Sequence, residues 1–526
     1  MIDRRTVVLT APALSVGAAA TAQAAMSPVA TTAHGVVRGT EAEGGIKVFK
    51  AIPYAQARRF MAPTAPTAWA GVRDALAYGP MSPQAIRQLG SLFASWTFDK
   101  EYSEDCQILN VWTPGLRDNA RRPVMVWLHG GGFASLSGSR NVFDGTRLCR
   151  KGDVVVVTLN HRLNSFGYLQ LAQLDPAWPD AGNAGMLDIV AALRWVRDNI
   201  AEFGGDPSNV TIFGQSGGGA KVTNLMAMPA ARGLFHRAIV QSGSYYLQAM
   251  TADQGTRLAI ALLEAAGLTH RDVGKLATMP VAALVAATEK ASAGPARANF
   301  QPVIDGRNLP SGPFAPGAPA LSDGIPLMVG TTATEMTLLT GAREPATFSL
   351  TDADLRRRLG AWFQAGDIDT VIRTFRATRP NATPSDIFFA VSTDKTLREG
   401  AWWQAERKAA RKAAPVWLYE LDWVTPVDGG KWGSPHSLDL AMVFDNVGLS
   451  ASMTGTGIGA QRVADQMSAT WLAFARTGRP NNPTIPFWPA YREAERATMV
   501  FNVESRVIND FRGDERTLLS RLKPPA

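Results

Sequence analysis

A serine hydroxyl attacks a carbonyl only when a base stands beside it and a third group orients that base. Ser216 has the surroundings of such a nucleophile. It sits in Gly214-Gln215-Ser216-Gly217-Gly218-Gly219-Ala220-Lys221, after the β-branched run Val210-Thr211-Ile212-Phe213 and before the helix-compatible stretch Val222 to Met228. Strand, glycine turn and helix, in that order, make Gly-x-Ser-x-Gly a nucleophile elbow. Such a turn strains the serine, so the residues two before and two after it must lack bulk, as Gly214 and Gly218 do. The hydroxyl is also delivered to a helix N-terminus, where the dipole favours negative charge. A phosphate loop is the rival reading of these glycines. It fails because Ala220 stands where Gly-x-x-x-x-Gly-Lys-Ser/Thr needs lysine.

In α/β-hydrolases the partners of such a serine follow it in the order acid, then histidine. Of the six histidines only His436 suits the base. It lies in Ser434-Pro435-His436-Ser437-Leu438-Asp439-Leu440, a loop beyond the apolar run Val416 to Leu421, and loops at strand carboxyl ends are where open α/β sheets bind their ligands. His236 borders the next strand, and His270 has an ordinary helix–loop setting. For the acid, chain order alone cannot choose among the many carboxylates between Ser216 and His436; Asp305 precedes Gly306 in a turn, and Glu344 sits in a polar loop. Glu335 is five residues past Gly330, where the strand Leu327-Met328-Val329 ends, and its flanks Met336, Leu338 and Leu339 are apolar. A carboxylate buried there needs a partner such as an imidazole N–H. The oxyanion needs preorganised donors as well. His129-Gly130-Gly131-Gly132-Phe133 closes an apolar run, so the amides of Gly131 and Gly132 can approach closely, and Gly217 adds the donor just after the nucleophile.

Bringing these groups to one edge requires a sheet. Val124 to Leu128 and Val154 to Asn160 are near-continuous apolar runs, the pattern of strands covered on both faces. Leu187, Val190, Leu193, Val196, Ile200 and Phe203 step by three or four along one helix face, which Gly204-Gly205-Asp206-Pro207 terminates. The chain then enters the strand that carries Ser216, completing a strand–helix–strand unit of a mostly parallel sheet. Arg237 to Gly243, Pro326 to Gly330 and Val416 to Leu421 supply later strands. Residues 254–293 and 352–413 read as helical, the first as an insertion over the sheet's edge, and Asp465 to Arg476 as an amphipathic helix. The fold class is α/β: a mostly parallel central sheet flanked by helices, with helical insertions over the active site. With no long Pro/Gly/Ser linker in the chain, residues 25–526 are expected to form one domain.

Residues 1–24 read as a signal peptide. Arg4-Arg5 precede an apolar and small-residue run ending in Ala22-Gln23-Ala24, which predicts export to the periplasm or beyond, with a shortened twin-arginine pattern. No later run reaches the roughly 18–20 apolar residues of a membrane span. The formal charge of +8 comes from scattered residues, and its longest basic run, Arg356-Arg357-Arg358, lacks interleaved aromatics, so nucleic acid is not an expected partner. Cys106 and Cys149 are too few for a disulfide scaffold or a zinc site, and no His-Glu-x-x-His motif implies a metal.

Together these motifs resemble the type-B carboxylesterases, a family that includes the cholinesterases and many bacterial esterases. The likeness runs through Ile52-Pro53-Tyr54-Ala55, Glu104-Asp105-Cys106, His129 to Phe133, Asn183 to Asp188 and Phe203 to Pro207. It continues in Gly214 to Gly218, Pro302 to Gly306, Gly330 to Glu335, Pro435-His436-Ser437 and Gly478-Arg479-Pro480-Asn481. The resemblance implies an α/β-hydrolase fold with Ser216 as nucleophile, Glu335 as acid and His436 as base, and Gly131, Gly132 and Gly217 as the oxyanion hole. It implies hydrolysis of a small-molecule ester with no cofactor, by a monomer or small homo-oligomer. It also maps two structural ion pairs, Arg59 with Glu104 and Arg162 with Asp188. This chain departs from the family in having Gln215 and Gly217 where Glu and Ala are frequent, and Ser82 where a cysteine would pair with Cys106. The missing carboxylate at Gln215 argues against a cationic substrate. The same triad could serve an amidase or carbamate hydrolase. The family also holds non-catalytic adhesion proteins, against which the intact Ser216, Glu335 and His436 argue.

Overall fold

The structure, a computed structural model, describes residues 27–86, 90–97, 101–295 and 299–522. The leader read over residues 1–24 lies outside them. At the centre is an eleven-stranded sheet. From one edge its order is Arg506–Ile508, Thr498–Phe501, Val416–Leu421, Leu327–Thr332, Arg237–Gln241, Gly205–Gln215, Arg122–Leu128, Val155–Leu159, Ile108–Thr113, Ile46–Pro53 and Thr40–Ala42. The run from Thr498–Phe501 to Val155–Leu159 is parallel throughout, and the remaining strands add antiparallel at the two margins.

The apolar runs are central strands because both faces are covered. Along Val124 to Leu128, Val124, Val126 and Leu128 belong to one core, while Met125 and Trp127 belong to the other. All five are fully buried. The first core takes up the helix Ala184–Asn199, whose 3-10 extension Ile200–Phe203 ends at Gly204 in the left-handed region, φ 70°. The second takes up Ile458–Thr477, a longer helix than the 465–476 read from the sequence. A third, smaller core joins Leu355, Phe375 and Ile387 on the helices Asp352–Leu359, Ile368–Ala377 and Pro384–Thr393 with Leu519.

The 254–293 segment forms the helices Ala252–Ala265 and Val281–Ala293 around a 3-10 stretch, His270–Ala277. It rests on the layer near Ser165, whose Oγ lies 2.6 Å from Thr288 Oγ1, and Arg59 Nη1 donates to the carbonyls of Leu276 and Met279. Arg59 also pairs with Glu104 at 2.5 Å, and the buried Arg162 with Asp188 at 2.6 Å. Cys106 and Cys149 are both free and buried, with Ser82 hydrogen-bonded to the Cys106 side chain. Among the described residues no helix is long and apolar enough to cross a membrane.

Candidate active site

Five neighbouring parallel strands, ending at Leu128, Gln215, Gln241, Thr332 and Leu421, deliver the candidate residues to one edge. The strand Gly205–Gln215 runs directly into the helix Gly217–Leu225, and Ser216 makes the turn between them with φ 57° and ψ −126°. Its N–H donates to the Gln241 carbonyl at 2.8 Å, which ties the turn to the next strand. Side chains at the flanking positions would break this turn. A Cβ on Gly214 would stand 2.5 Å from the Gly218 carbonyl carbon, and one on Gly218 would stand 1.9 Å from the Leu128 oxygen. Ser216 itself is half-buried among fully buried neighbours.

His436 lies between the strand Val416–Leu421 and the helix Leu438–Val443, and its Nδ1 meets Glu335 Oε2 at 2.5 Å. Glu335 is fully buried just beyond the strand Leu327–Thr332. Its other oxygen accepts from Ser242 Oγ at 2.5 Å and from the Thr332 N–H at 2.9 Å. With the imidazole N–H, three donors surround a carboxylate that would otherwise be costly to bury. Gln215 Nε2 lies against the ring as well, 3.1 Å from His436 Nε2 and 3.5 Å from Nδ1. Glu335 against Nδ1 holds the ring proton there and leaves the lone pair on Nε2. That is the tautomer a general base needs. Among the described hydrogen bonds none joins Ser216 Oγ to His436, and catalytic contacts of this kind often tighten only when substrate arrives.

The other candidate acids are engaged elsewhere. Asp305 accepts from Asn183 Nδ2 and from the amides of Arg307 and Leu309, and Glu344 pairs with Arg358. His236 Nδ1 accepts from the Val210 N–H. The glycine loop after the strand Arg122–Leu128 turns at Gly131 and Gly132, φ 83° and 63°, and presses against the nucleophile helix. A Cβ on Gly217 would lie 2.0 Å from the Gly132 oxygen, so an alanine would displace this loop as it stands.

Three contributors escaped the sequence reading. Ser242 follows the strand Arg237–Gln241, and only the pairing of that strand between those of Ser216 and Glu335 brings it to the acid. Asp439, fully buried three residues after His436, accepts from Gln241 Nε2 at 2.8 Å. Burial, aided by the charge of Glu335, pushes its carboxyl up to about 7. Its one sequence signal is a carboxylate between Leu438 and Leu440. Lys221, also fully buried, donates to the carbonyl of His129 at the start of the glycine loop.

A strained serine between strand and helix, a buried carboxylate–imidazole pair and a glycine loop at one sheet edge define the class of α/β-hydrolases. Residues 26–517 match the model of the carboxylesterase family, and the chain belongs to that family. It is 36% identical over 504 residues to a para-nitrobenzyl esterase of Bacillus subtilis (strain 168), covering 93% of this chain and 98% of that one. It is 33% identical over 499 residues to a phenmedipham hydrolase of Pseudarthrobacter oxydans, covering 91% and 95%. Among solved structures, a Geobacillus stearothermophilus carboxylesterase superposes with a TM-score of 0.80 at 37% identity, over 93% of this chain and 99% of that one. The protein is a carboxylic ester hydrolase.

Proposed function

We propose that the ester is cleaved by acyl transfer to Ser216 and then to water. The observation that carries this reading is the buried His436–Glu335 pair at the same sheet edge as the strained Ser216. His436 Nε2 takes the Ser216 proton as Oγ bonds to the ester carbonyl carbon. The carbonyl oxygen becomes an oxyanion facing the amides of Gly131, Gly132 and Gly217. Collapse of the intermediate breaks the carbon–alkoxy bond, and His436 gives its proton to the departing alcohol. Water, deprotonated by the same nitrogen, then attacks the acyl-enzyme and frees the acid. Glu335, held by Ser242 and Thr332, fixes the ring and stabilises its charged form. The neutral Gln215 beside the imidazole favours an uncharged small-molecule ester over a cationic one. The matured chain, residues 25–526, works as one exported domain, a monomer or small homo-oligomer, in the periplasm or medium.

An organophosphate should label the wild-type chain once, on the peptide holding Ser216. Ser216→Ala should lower kcat by roughly 10⁶, and Glu335→Gln by about 10⁴ with the fold retained. Normal turnover in Ser216→Ala, or a greater loss in folded Glu344→Gln or Asp305→Asn than in Glu335→Gln, would overturn the assignment. A panel of chromogenic esters graded in acyl length, run against matching anilides, separates esterase from amidase action.

A further inference from the structure

The helix that begins at the nucleophile carries a buried cation. Lys221, five residues past Ser216, has no exposed surface. Its Nζ donates to the carbonyl of His129 at 2.9 Å, and its ammonium lies over the Phe133 ring, 5.6 Å from the centroid. These two contacts fall on the first and last residues of the segment whose inner members are Gly131 and Gly132. The side chain therefore spans the glycine loop and anchors both its ends to the helix of Ser216.

Among the described residues no carboxylate pairs with Lys221. The titratable groups around it are His129 and His161, stacked with centroids 5.1 Å apart, with Arg140 and the Arg162–Asp188 pair beyond them. Burial, with the lysine charge as a further contribution, holds both imidazoles well below their ordinary range. Burial likewise pushes the Lys221 ammonium down to about 7. A desolvated ammonium with one carbonyl and one ring face is a poor way to fill space, because a methionine of similar length would pack there without the desolvation cost. What the cation alone offers is a positive charge on the loop that faces the developing oxyanion.

We propose that Lys221 is a positioning residue for the oxyanion hole. It ties the glycine loop to the nucleophile helix and raises the positive potential at the loop amides as negative charge forms. This rests on the reading of Gly131, Gly132 and Gly217 as the oxyanion donors. The contribution belongs to the transition state, so it appears in kcat more than in KM. A residue that only filled the core would, on replacement by methionine, leave both nearly unchanged.

The test compares Lys221→Met and Lys221→Gln with the wild type. Assayed at pH 6, where the ammonium is still charged, Lys221→Met should lower kcat on the order of 10- to 100-fold, less than loss of a direct oxyanion donor, with KM changed by no more than about threefold. Its affinity for a trifluoromethyl ketone, which forms a tetrahedral adduct on the serine, should fall by the same factor as kcat/KM. Its Tm at pH 6 should equal or exceed that of the wild type, since the buried charge is fully present below about 7 and is gone in the variant. Lys221→Gln, a neutral donor, should fall between the two enzymes. The proposal is overturned if Lys221→Met keeps kcat within twofold, if KM and the ketone weaken together while kcat holds, or if the variant unfolds. Organophosphate labelling of the wild type reports the underlying reading separately. Its absence from Ser216 sinks the acyl-enzyme, whereas labelling at Ser216 with an unaffected Lys221→Met sinks only the role of Lys221.

Discussion

At the scale of single residues, the candidate base touches two side chains. Glu335 meets Nδ1, and the neutral Gln215 amide lies within 3.1 Å of Nε2 and 3.5 Å of Nδ1. A carboxylate in place of that amide would favour the imidazolium, because a negative charge this close stabilises the protonated ring. Only the neutral ring can accept the Ser216 proton. Gln215→Glu should therefore move the acid limb of the kcat/KM profile to higher pH and lower activity on the acid side, with the alkaline plateau less affected. The profile of each enzyme against a neutral chromogenic ester measures this. A superimposable acid limb would mean that the residue 215 side chain does not sense the ring. Gln215 was singled out in the sequence as a missing charge, but its contact with His436 was not legible. The two residues are far apart in the chain, and their meeting is a property of strand order.

At the scale of elements, the decisive contact is between the glycine loop and the helix Gly217–Leu225. The Gly132 carbonyl occupies the space a Cβ at position 217 would need. Backbone presses on backbone there, so no side-chain rotation can relieve the clash. Gly217→Ala should displace the loop and its amides by enough to cost about 10²-fold in kcat, the scale of a lost oxyanion donor. KM and far-UV circular dichroism should stay near their wild-type values. Full activity in this variant would show that the loop can retreat without cost. The elbow and the loop were each readable, since glycines bracketing a serine and a glycine run closing an apolar strand have few other uses. Their packing was not readable, because it depends on the strands Arg122–Leu128 and Gly205–Gln215 lying side by side.

At the scale of the whole molecule, the sheet is sealed between two apolar layers; Cys149 lies within one of them, and Cys106 is buried as well. Burial pushes both thiols up, so neither ionises readily, and no disulfide is needed to close the fold. A chain of this kind can complete its fold in a reducing compartment, as the proposed twin-arginine export through Arg4-Arg5 would require. Replacing both arginines by lysine should leave folded, active enzyme in the cytoplasm of the producing cell, measured as esterase activity in fractionated cells. Undiminished export would assign the leader to the general secretory route instead.

The sequence by itself determined the candidate nucleophile, the candidate base and the sheet that carries them, because each is written in neighbouring residues. The elbow needs glycines at fixed offsets, and a central strand needs an unbroken apolar run. It left many carboxylates open for the acid, and the apolar flanks and strand-end position of Glu335 favoured the one that the structure places against His436. The tertiary structure alone decided what surrounds them: Ser242 on the acid, Gln215 on the imidazole, and Lys221 across the glycine loop. These contacts join residues 92 to 221 positions apart, because strands adjacent in space are distant in sequence. Periodicity reports the faces of an element. Which elements become neighbours follows from how their faces pack into a common core, and that is settled by the chain as a whole.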